Sequence, residues 1–468
     1  MVEAVTVAPK TAEHYDVLVV GAGIAGMEAS LTLGDMGMKV LLVEKSPTIG
    51  GRLLLLSKVF PTLDCASCIS GTKTSGTSHH PNVTMMTYSE VSEIRRNDKD
   101  GSFSLRYVEK PRYIDTALCT GCGECEKACP IILPKETEYG LRGRKAIYIP
   151  FDTAVPKKAV LDLDNCIFCG ACERVCPADS IDFLQAPREH EAEVGAVILA
   201  TGFEPFPIEK KESYHYGQFP NVVTSLQMDR LTGPTRPFNS ILRPSDGKEP
   251  SNIAYALCAG SRDKTVGNLR CSQVCCMYSM KQAQLILGTL PAADVTLYYM
   301  DIRAYGKGFE EFYQQTKAMG VKFVRGRVAQ VEEEKNGDLT VYHEDTEGPG
   351  GKGKSTHDLL VLSVGLLPMR GIEKVFKNAT LELDEMGWVK LRDETRSPSE
   401  TSIDGVFSAG TASGPKDVPD SIAEAASAAA QAVGYVLSWR EKTGAAVGIP
   451  LPKSMPVPMP QAVEVAAK

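Results

Sequence analysis

The sequence has no uninterrupted apolar run of 18 or more residues, the length that a membrane-spanning helix needs. Its most apolar helical stretch, near the C-terminus, is broken by Glu424 and Gln431 and filled largely with alanine. No secretory leader is expected, because MVEAVTVAPKTAEHYD lacks a basic start followed by an apolar segment. Basic residues are in the minority: 51 Lys and Arg against 58 Asp and Glu give a formal charge of −7. Such a balance gives no support to an electrostatic nucleic-acid binder. The remaining composition, 43% hydrophobic and 23% charged, is that of a folded globular chain. Cysteine, by contrast, is plentiful. Fourteen cysteines in a leaderless, cytoplasmic chain read as metal ligands rather than as a disulfide framework.

At 468 residues the chain has room for about three domains. An apolar run, Asp16 to Val20, is followed by Gly21, Gly23 and Gly26 in the spacing G-x-G-x-x-G. The residues from Met27 to Met36 read as a helix, and Val40 to Val43 as a second strand ending at Glu44. Strand, glycines, helix, strand and terminal Glu together form a dinucleotide-binding unit, in which the pyrophosphate sits on the helix N-terminus. The continuation Glu44-Lys45 to Gly50-Gly51-Arg52 is the extended form found in flavoproteins with two dinucleotide domains, which favours FAD over NAD. Val197 to Thr201-Gly202 reads as the strand that returns to the flavin domain, and Asp358 to Gly365 as its counterpart in a second domain. Thr401 to Ala412 has the form of the last FAD motif. Its Gly410-Thr411 departs from the usual pattern, which has an acidic residue after the glycine. Ala423 to Trp439 reads as a closing helix, and His79-His80 as a solvated pair in a glycine- and serine-rich loop.

The most specific signal is a repeat. Cys119, Cys122, Cys125 and Cys129-Pro130 follow the run C-x-x-C-x-x-C-x-x-x-C-P, and Cys166, Cys169, Cys172 and Cys176-Pro177 follow it again. In two-cluster ferredoxins the fourth cysteine of each run ligates the other cluster. One [4Fe–4S] cluster is therefore expected on Cys119, Cys122, Cys125 and Cys176, and a second on Cys166, Cys169, Cys172 and Cys129.

A second nucleotide domain should open with its own strand and glycines. The strand, Asn252 to Leu257, is present, but Cys258-Ala259-Gly260-Ser261-Arg262-Asp263 follows in place of the glycine motif. Side chains at Cys258 and Arg262 would crowd a pyrophosphate, so NAD(P)H is not expected there. Cys258, Cys271, Cys275 and Cys276 lie within nineteen residues; they are poor disulfide material and candidate thiolate ligands. Cys65 and Cys68 have three open readings: a redox-active dithiol, ligands shared with the Cys258 group, or ordinary thiols.

These residues carry a family resemblance. Over residues 14–440 the chain resembles the A-type flavin-binding component of heterodisulfide reductase and its relatives in anaerobic electron-transfer complexes. The resemblance rests on the FAD motif, PTLDCASCI, the double ferredoxin, CAGSRD with CSQVCCMYSMKQA, and GTASGPKDVPDSIAEAASAA. It implies an α/β, thioredoxin-reductase-like FAD fold of two dinucleotide domains, with an inserted α+β ferredoxin domain holding two [4Fe–4S] clusters. It also implies a third [4Fe–4S] cluster on Cys258, Cys271, Cys275 and Cys276, and Lys281 near the flavin N5. The chain departs from the methanogen protein in lacking an extra N-terminal domain and a C-terminal ferredoxin module. In this shortened form it resembles subunits linked to benzoyl-CoA reductase or to quinone-interacting oxidoreductases.

The expected layout is a disordered lead (1–13), an FAD domain in three parts (14–111, 188–250 with a linker, 369–440), the ferredoxin insertion (112–187), a second nucleotide-like domain with the extra cluster (251–368), and a Pro/Ala-rich tail (441–468). The expected function is electron transfer between FAD and the clusters in a cytoplasmic multi-subunit oxidoreductase, with flavin-based bifurcation implied by the family. Partners would be heterodisulfide reductase B/C-like, hydrogenase, formate dehydrogenase or ferredoxin-linked subunits around a homodimeric core, with no nucleic acid and no membrane span. The alternatives are a stand-alone NAD(P)H-dependent disulfide reductase working through Cys65 and Cys68, and a non-bifurcating FAD/iron–sulfur conduit.

Overall fold

The computed structural model describes residues 13–443. The expected lead and tail lie outside the described residues, save for Glu13, which opens the first strand, and 441–443, which end the last helix. Among the described residues the α-helices are α1 (Ile24–Asp35), α2 (Ala66–His79), α3 (Glu124–Ala128), α4 (Ala171–Val175), α5 (Ser225–Thr232), α6 (Cys275–Thr289), α7 (Phe309–Ala318) and α8 (Val418–Thr443).

Runs of Val, Leu and Ile too short for a helix form buried parallel strands. Glu13–Val20 lies at the centre, with Val17 opposite Val40 on one side and Val19 opposite Ile198 on the other. Val406–Ser408 extends the sheet past Arg188–Leu199, and Val83–Thr87 extends it past Val40–Glu44, all in parallel. One face is covered by α1 and α8. Ala425, Ala428, Ala429 and Ala432 are fully buried there against Met27 and Leu33. Alanines spaced three and four apart leave no bulk on that stripe, so α8 settles close to the sheet and to α1. The opposite face is closed by Phe103, Leu105 and Tyr107 of a hairpin, with Phe376 and Val389.

The hairpin strand Phe103–Glu109 also runs antiparallel to the start of Arg188–Leu199, with Glu109 directly opposite Arg188. Between those two residues the chain makes its excursion of residues 110–187. This segment is built from α3, α4, two single-turn 3-10 helices (Glu136–Glu138 and Leu163–Asn165) and two strand pairs of two residues each. Its core is Ile114, Ile147 and Leu161 packed with Cys119, Cys125 and Cys172, so cysteine side chains supply a large part of the interior.

A second parallel sheet is ordered Val222–Thr224, Leu359–Val364, Asn252–Ala259, Asp294–Tyr299, Lys322–Arg325. Helices α5, α6 and α7 pack on one face through Met228, Met277, Met280 and Phe312. A three-stranded antiparallel sheet (Val328–Glu333, Leu339–Glu344, Lys352–His357) covers the other. The two passages between the domains, Phe203–Pro205 and Leu366–Pro368, pair with each other.

Two expectations fail. The span 188–250 does not belong wholly to the flavin domain: Val222–Thr224 pairs with Leu360–Leu362 and α5 packs on the second core through Met228 and Leu231, so the second domain begins well before residue 251. The stretch ASCISGTKTSGTSH is helix α2, not a loop, and His79 is its last residue. Ser70, Thr74 and Thr77 are buried on one side of it. Small polar residues at these spacings form a narrow helical face, and tertiary packing overrides their weak helix propensity.

Candidate flavin and iron–sulfur sites

The flavin motifs, far apart in sequence, converge on the first turn of α1. Gly21 has φ +100°, and a Cβ there would stand 2.4 Å from the Ala200 carbonyl oxygen. A Cβ on Gly26 would come within 1.8 Å of the Gly21 carbonyl oxygen. Only glycine lets the strand, the turn and the helix approach this closely. Gly23 caps α1 without any side-chain hydrogen bond, and a Cβ at this position would meet nothing within 4 Å. The first turn of α1 therefore offers backbone N–H groups to open space. Gly51 packs on Gly23, Gly410 packs on Ala25, and Thr201-Gly202 follow Ala200 against Gly21. Glu44 is buried and braces the same turn: Ala22 N–H donates to its Oε2 (2.6 Å) and Ser46 N–H to its Oε1 (2.8 Å). Donors aimed into a cradle lined by glycine suit a dinucleotide pyrophosphate, and the residues fit FAD. Lys45 turns elsewhere, its Nζ donating to Met369 Sδ (3.5 Å). Arg52 reaches the insertion, with Nη1 donating to the Tyr139 hydroxyl (3.3 Å) and its guanidinium 4.9 Å above the Phe203 ring.

In the insertion, a small hollow is lined by Cys119, Cys122, Cys125 and Cys176, three residues of one run and the last of the other. Burial pushes the Cys125 thiol up to about 12, with Cys119 and Cys122 adding to the effect. Burial also raises Cys172, and Cys166 and Cys129 add to the effect, so the last cysteine of the first run lies beside the second. Cys169 is exposed. Opposing its own burial, hydrogen bonds from Ser180 hold the Cys176 thiol below its ordinary value. The donor set is sulfur throughout, which suits iron–sulfur clusters.

The second domain departs from a nucleotide site at its first turn. Cys258, one residue before the end of the strand, has φ +59°, and the Phe206 ring occupies the space a Cβ on Gly260 would need. Asp263 is held between Lys211 and Arg327, each donating to its Oδ2 at 2.6 Å. Although burial opposes it, these contacts keep its carboxyl well below the usual carboxylate range. Helix α6 starts only at Cys275, so its N-terminus carries thiols, with Cys258, Cys275 and Cys276 buried. Burial raises all three, Cys276 to about 12; each is raised further by Cys271. The Arg262 guanidinium lies beside Cys258 and pairs with Asp301. Four mutually interacting thiols, two of them beside the Arg262 guanidinium, fit a thiolate-held cluster with a cation in its outer shell. Among the described residues no three His, Cys, Asp or Glu are close enough to hold a single metal ion. A cluster places its own irons and sulfides between the thiolates and needs a wider spacing.

Lys281, on α6, is buried. Its Nζ donates to Asp229 Oδ1 (2.6 Å) and to the Lys58 carbonyl (3.0 Å), at the seam with the flavin domain. Asp229 also accepts from the Ser57 hydroxyl (2.6 Å) and from Gln282 Nε2 (2.8 Å). Beside it, Arg230 forms a fully buried pair with Glu138 of the insertion (2.8 Å) and donates to the Leu55 carbonyl (3.4 Å). Sequence reasoning missed Asp229, Arg230, Glu138 and Tyr139. The one available signal was a charge pair, Asp229-Arg230, inside an otherwise apolar helical turn. Cys65 and Cys68 stand at the N-terminus of α2, where Cys68 N–H donates to Cys65 Sγ (3.3 Å). Cys68 lowers the Cys65 thiol, and Cys65 in turn raises Cys68.

Fold and site together define a thioredoxin-reductase-like oxidoreductase with an inserted iron–sulfur domain. Residues 16–63 match the FAD-dependent oxidoreductase family and residues 111–177 the 4Fe-4S dicluster domain. Thioredoxin reductases from T. acidophilum and Lactococcus lactis share the fold, with TM-scores of 0.51 and 0.50 at 14% and 15% identity. Each comparison covers 91% of this chain and 99% of the other. The chain is 45% identical over 430 residues to the A component of the H(2):CoB-CoM heterodisulfide,ferredoxin reductase of Methanothermobacter marburgensis, covering 91% of this chain and 64% of that protein. It is 47% identical over 420 residues to an iron–sulfur A component of the CoB–CoM heterodisulfide reductase of Methanopyrus kandleri (89% and 63%). Over about nine tenths of its length the chain is similar to heterodisulfide reductase A subunits. It spans less than two thirds of the length of these relatives.

Proposed function

We propose that this chain is a cytoplasmic electron-transfer subunit that links FAD to three [4Fe–4S] clusters within a larger redox complex, in flavin-based electron bifurcation. The observation that carries the reading is the gathering of Cys258, Cys271, Cys275 and Cys276 at the turn where a nucleotide domain would receive pyrophosphate. When bound, the flavin supplies exchange of both electron pairs and single electrons. The chain's own residues do the rest. Gly21, Gly23 and Gly26 hold the dinucleotide against the α1 N-terminus. Phe206 and the Asp263–Lys211–Arg327 staple fill the second domain's turn and exclude a nicotinamide dinucleotide. Helix α6 carries Cys275 and Cys276 in its first turn and Lys281 in its second, and Lys281 reaches the flavin domain at the Lys58 carbonyl.

A partner surface is also present. Leu184, Ile132 and Phe168 of the insertion are 91%, 71% and 62% exposed, and Leu118 and Ile167 of the same module are exposed as well. Concentrated apolar exposure marks a protein contact, and we place another redox subunit there. Anaerobically purified protein should contain stoichiometric FAD and about twelve iron atoms, four per cluster. Cys275→Ser should leave about eight. A parent protein with about eight iron, or with flavin rapidly bleached by NADH, overturns the reading of the second domain.

A further inference from the structure

We infer that Cys65 and Cys68 form a reversible dithiol–disulfide site, open to thiols and disulfides of low molecular weight and distinct from the cluster ligands. The other cysteines interact with one another in sets: Cys172 with Cys166 and Cys129, Cys276 with Cys258 and Cys271. The groups acting on Cys65 are Cys68, the Ser67 backbone and Lys58. None of these contacts joins the pair to the Cys258 group. Nor is this a pair of inert core thiols, since Cys68 is exposed and Cys65 half-buried.

The local fold prepares the chemistry. Residues three apart in the first turn of a helix stand about 5–6 Å apart at Cβ, within reach of a disulfide after a small adjustment. Cys65 is the N-cap of a fourteen-residue helix, and its sulfur accepts the Cys68 N–H, an arrangement that favours the thiolate there. Its backbone is fixed by a bridge to Lys58 and by the bond from Val59 N–H to the Asp64 carbonyl (2.9 Å). Lys58 is the residue whose carbonyl receives Lys281, so the dithiol stands one backbone bridge from the seam between the domains.

The step balances with an external disulfide, R–S–S–R, as oxidant. The Cys65 thiolate attacks one sulfur, forming Cys65–S–S–R and releasing R–S⁻, which takes up the Cys65 proton. Cys68 then loses its proton, attacks the Cys65 sulfur and releases the second R–SH. Two thiols are oxidised to one disulfide, and one disulfide is reduced to two thiols. In the reverse direction a small thiol reduces the pair.

The test uses the full chain with its cofactors, equilibrated anaerobically in glutathione buffers of graded poise, followed by thiol alkylation and peptide mass spectrometry. The expected result is a Cys65–Cys68 disulfide that appears with a single two-electron midpoint. In Cys68→Ser, a glutathione adduct on Cys65 should accumulate about tenfold over the parent, because the resolving thiol is gone. Iron and flavin content should be unchanged in Cys65→Ser and Cys68→Ser. Loss of iron in either variant makes the pair cluster ligands and overturns the inference. So does the absence of the disulfide at every poise, or of the trapped adduct in Cys68→Ser. The iron assay on Cys275→Ser reports separately on the third cluster, so the two readings fail independently.

Discussion

His357 sits in the second domain between two partners that fix its tautomer. Its Nδ1–H donates to Asn252 Oδ1 (2.8 Å) and its Nε2 accepts from the Tyr298 hydroxyl (2.9 Å). Burial pushes its pKa down from 6.5 to about 4; Asp358 works against this, while His343 and Lys322 add to it. Between these two values the folded state binds fewer protons than the unfolded chain. The stability contributed by the neutral ring is therefore present above pH 6.5 and is lost as pH falls toward 4, a contribution of about 3 kcal/mol. His357→Gln should be less stable than the parent at pH 7, and the gap between them should shrink at pH 4.5. Paired thermal scans by circular dichroism would show it. At this scale the sequence is only partly legible. The cysteine runs announce themselves by spacing, whereas Arg230 and Glu138 are 92 residues apart and Lys281 and Asp229 are 52 apart. No local pattern marks such pairs.

Among the elements, the turn from the first strand into α1 separates two roles that the glycine motif merges. Gly26 is where helix and turn touch, so any side chain there displaces α1. Gly23 faces open space, so a methyl group there obstructs only what would bind. Gly23→Ala should fold with an unchanged melting temperature as apoprotein yet retain little flavin. Gly26→Ala should lower both melting temperature and flavin content, while dicluster iron persists in each. Flavin absorbance, iron assay and calorimetry on the two variants distinguish these outcomes. The strand–glycine–helix unit was readable because its residue types are forced by close approach. Helix α2 was not, because Ser, Thr and Gly signal a loop until the packing of Ser70, Thr74 and Thr77 is known. The displaced start of α6 was foreshadowed only by Cys258 and Arg262 standing where glycines belong.

For the whole molecule, the buried ion pairs at the seam join all three parts of the chain. Arg230 from the second domain meets Glu138 of the insertion, the Leu55 carbonyl of the flavin domain and, at 5.3 Å, the Phe151 ring. Removing one member of a buried pair leaves the other charge uncompensated, at a cost of about 3–5 kcal/mol. Glu138→Gln should lower the melting temperature and speed proteolysis within residues 133–145. The double variant Glu138→Leu with Arg230→Met should recover much of the loss; equal destabilisation in the single and double variants would show that packing, not charge, dominates there. The domain plan itself follows from the order of motifs, but the way the parts lock together does not, since it depends on contacts between residues remote in sequence.

The insertion leaves and rejoins the flavin domain at Glu109 and Arg188, which face each other across one rung of the sheet. Two tethers at one point act mechanically as a single pivot: they fix where the module is but not which way it is turned. Its angle is set by non-covalent contacts away from the pivot, among them Leu54 packed with Phe151 and Ala154, Ile49 N–H to the Val155 carbonyl (3.0 Å), Gln227 Nε2 to the Tyr139 carbonyl (3.0 Å) and Glu138 to Arg230. The heading of this module relative to the flavin cradle is thus a matter of side-chain packing rather than of covalent path, and substitutions at these contacts would turn it without altering the route of the chain.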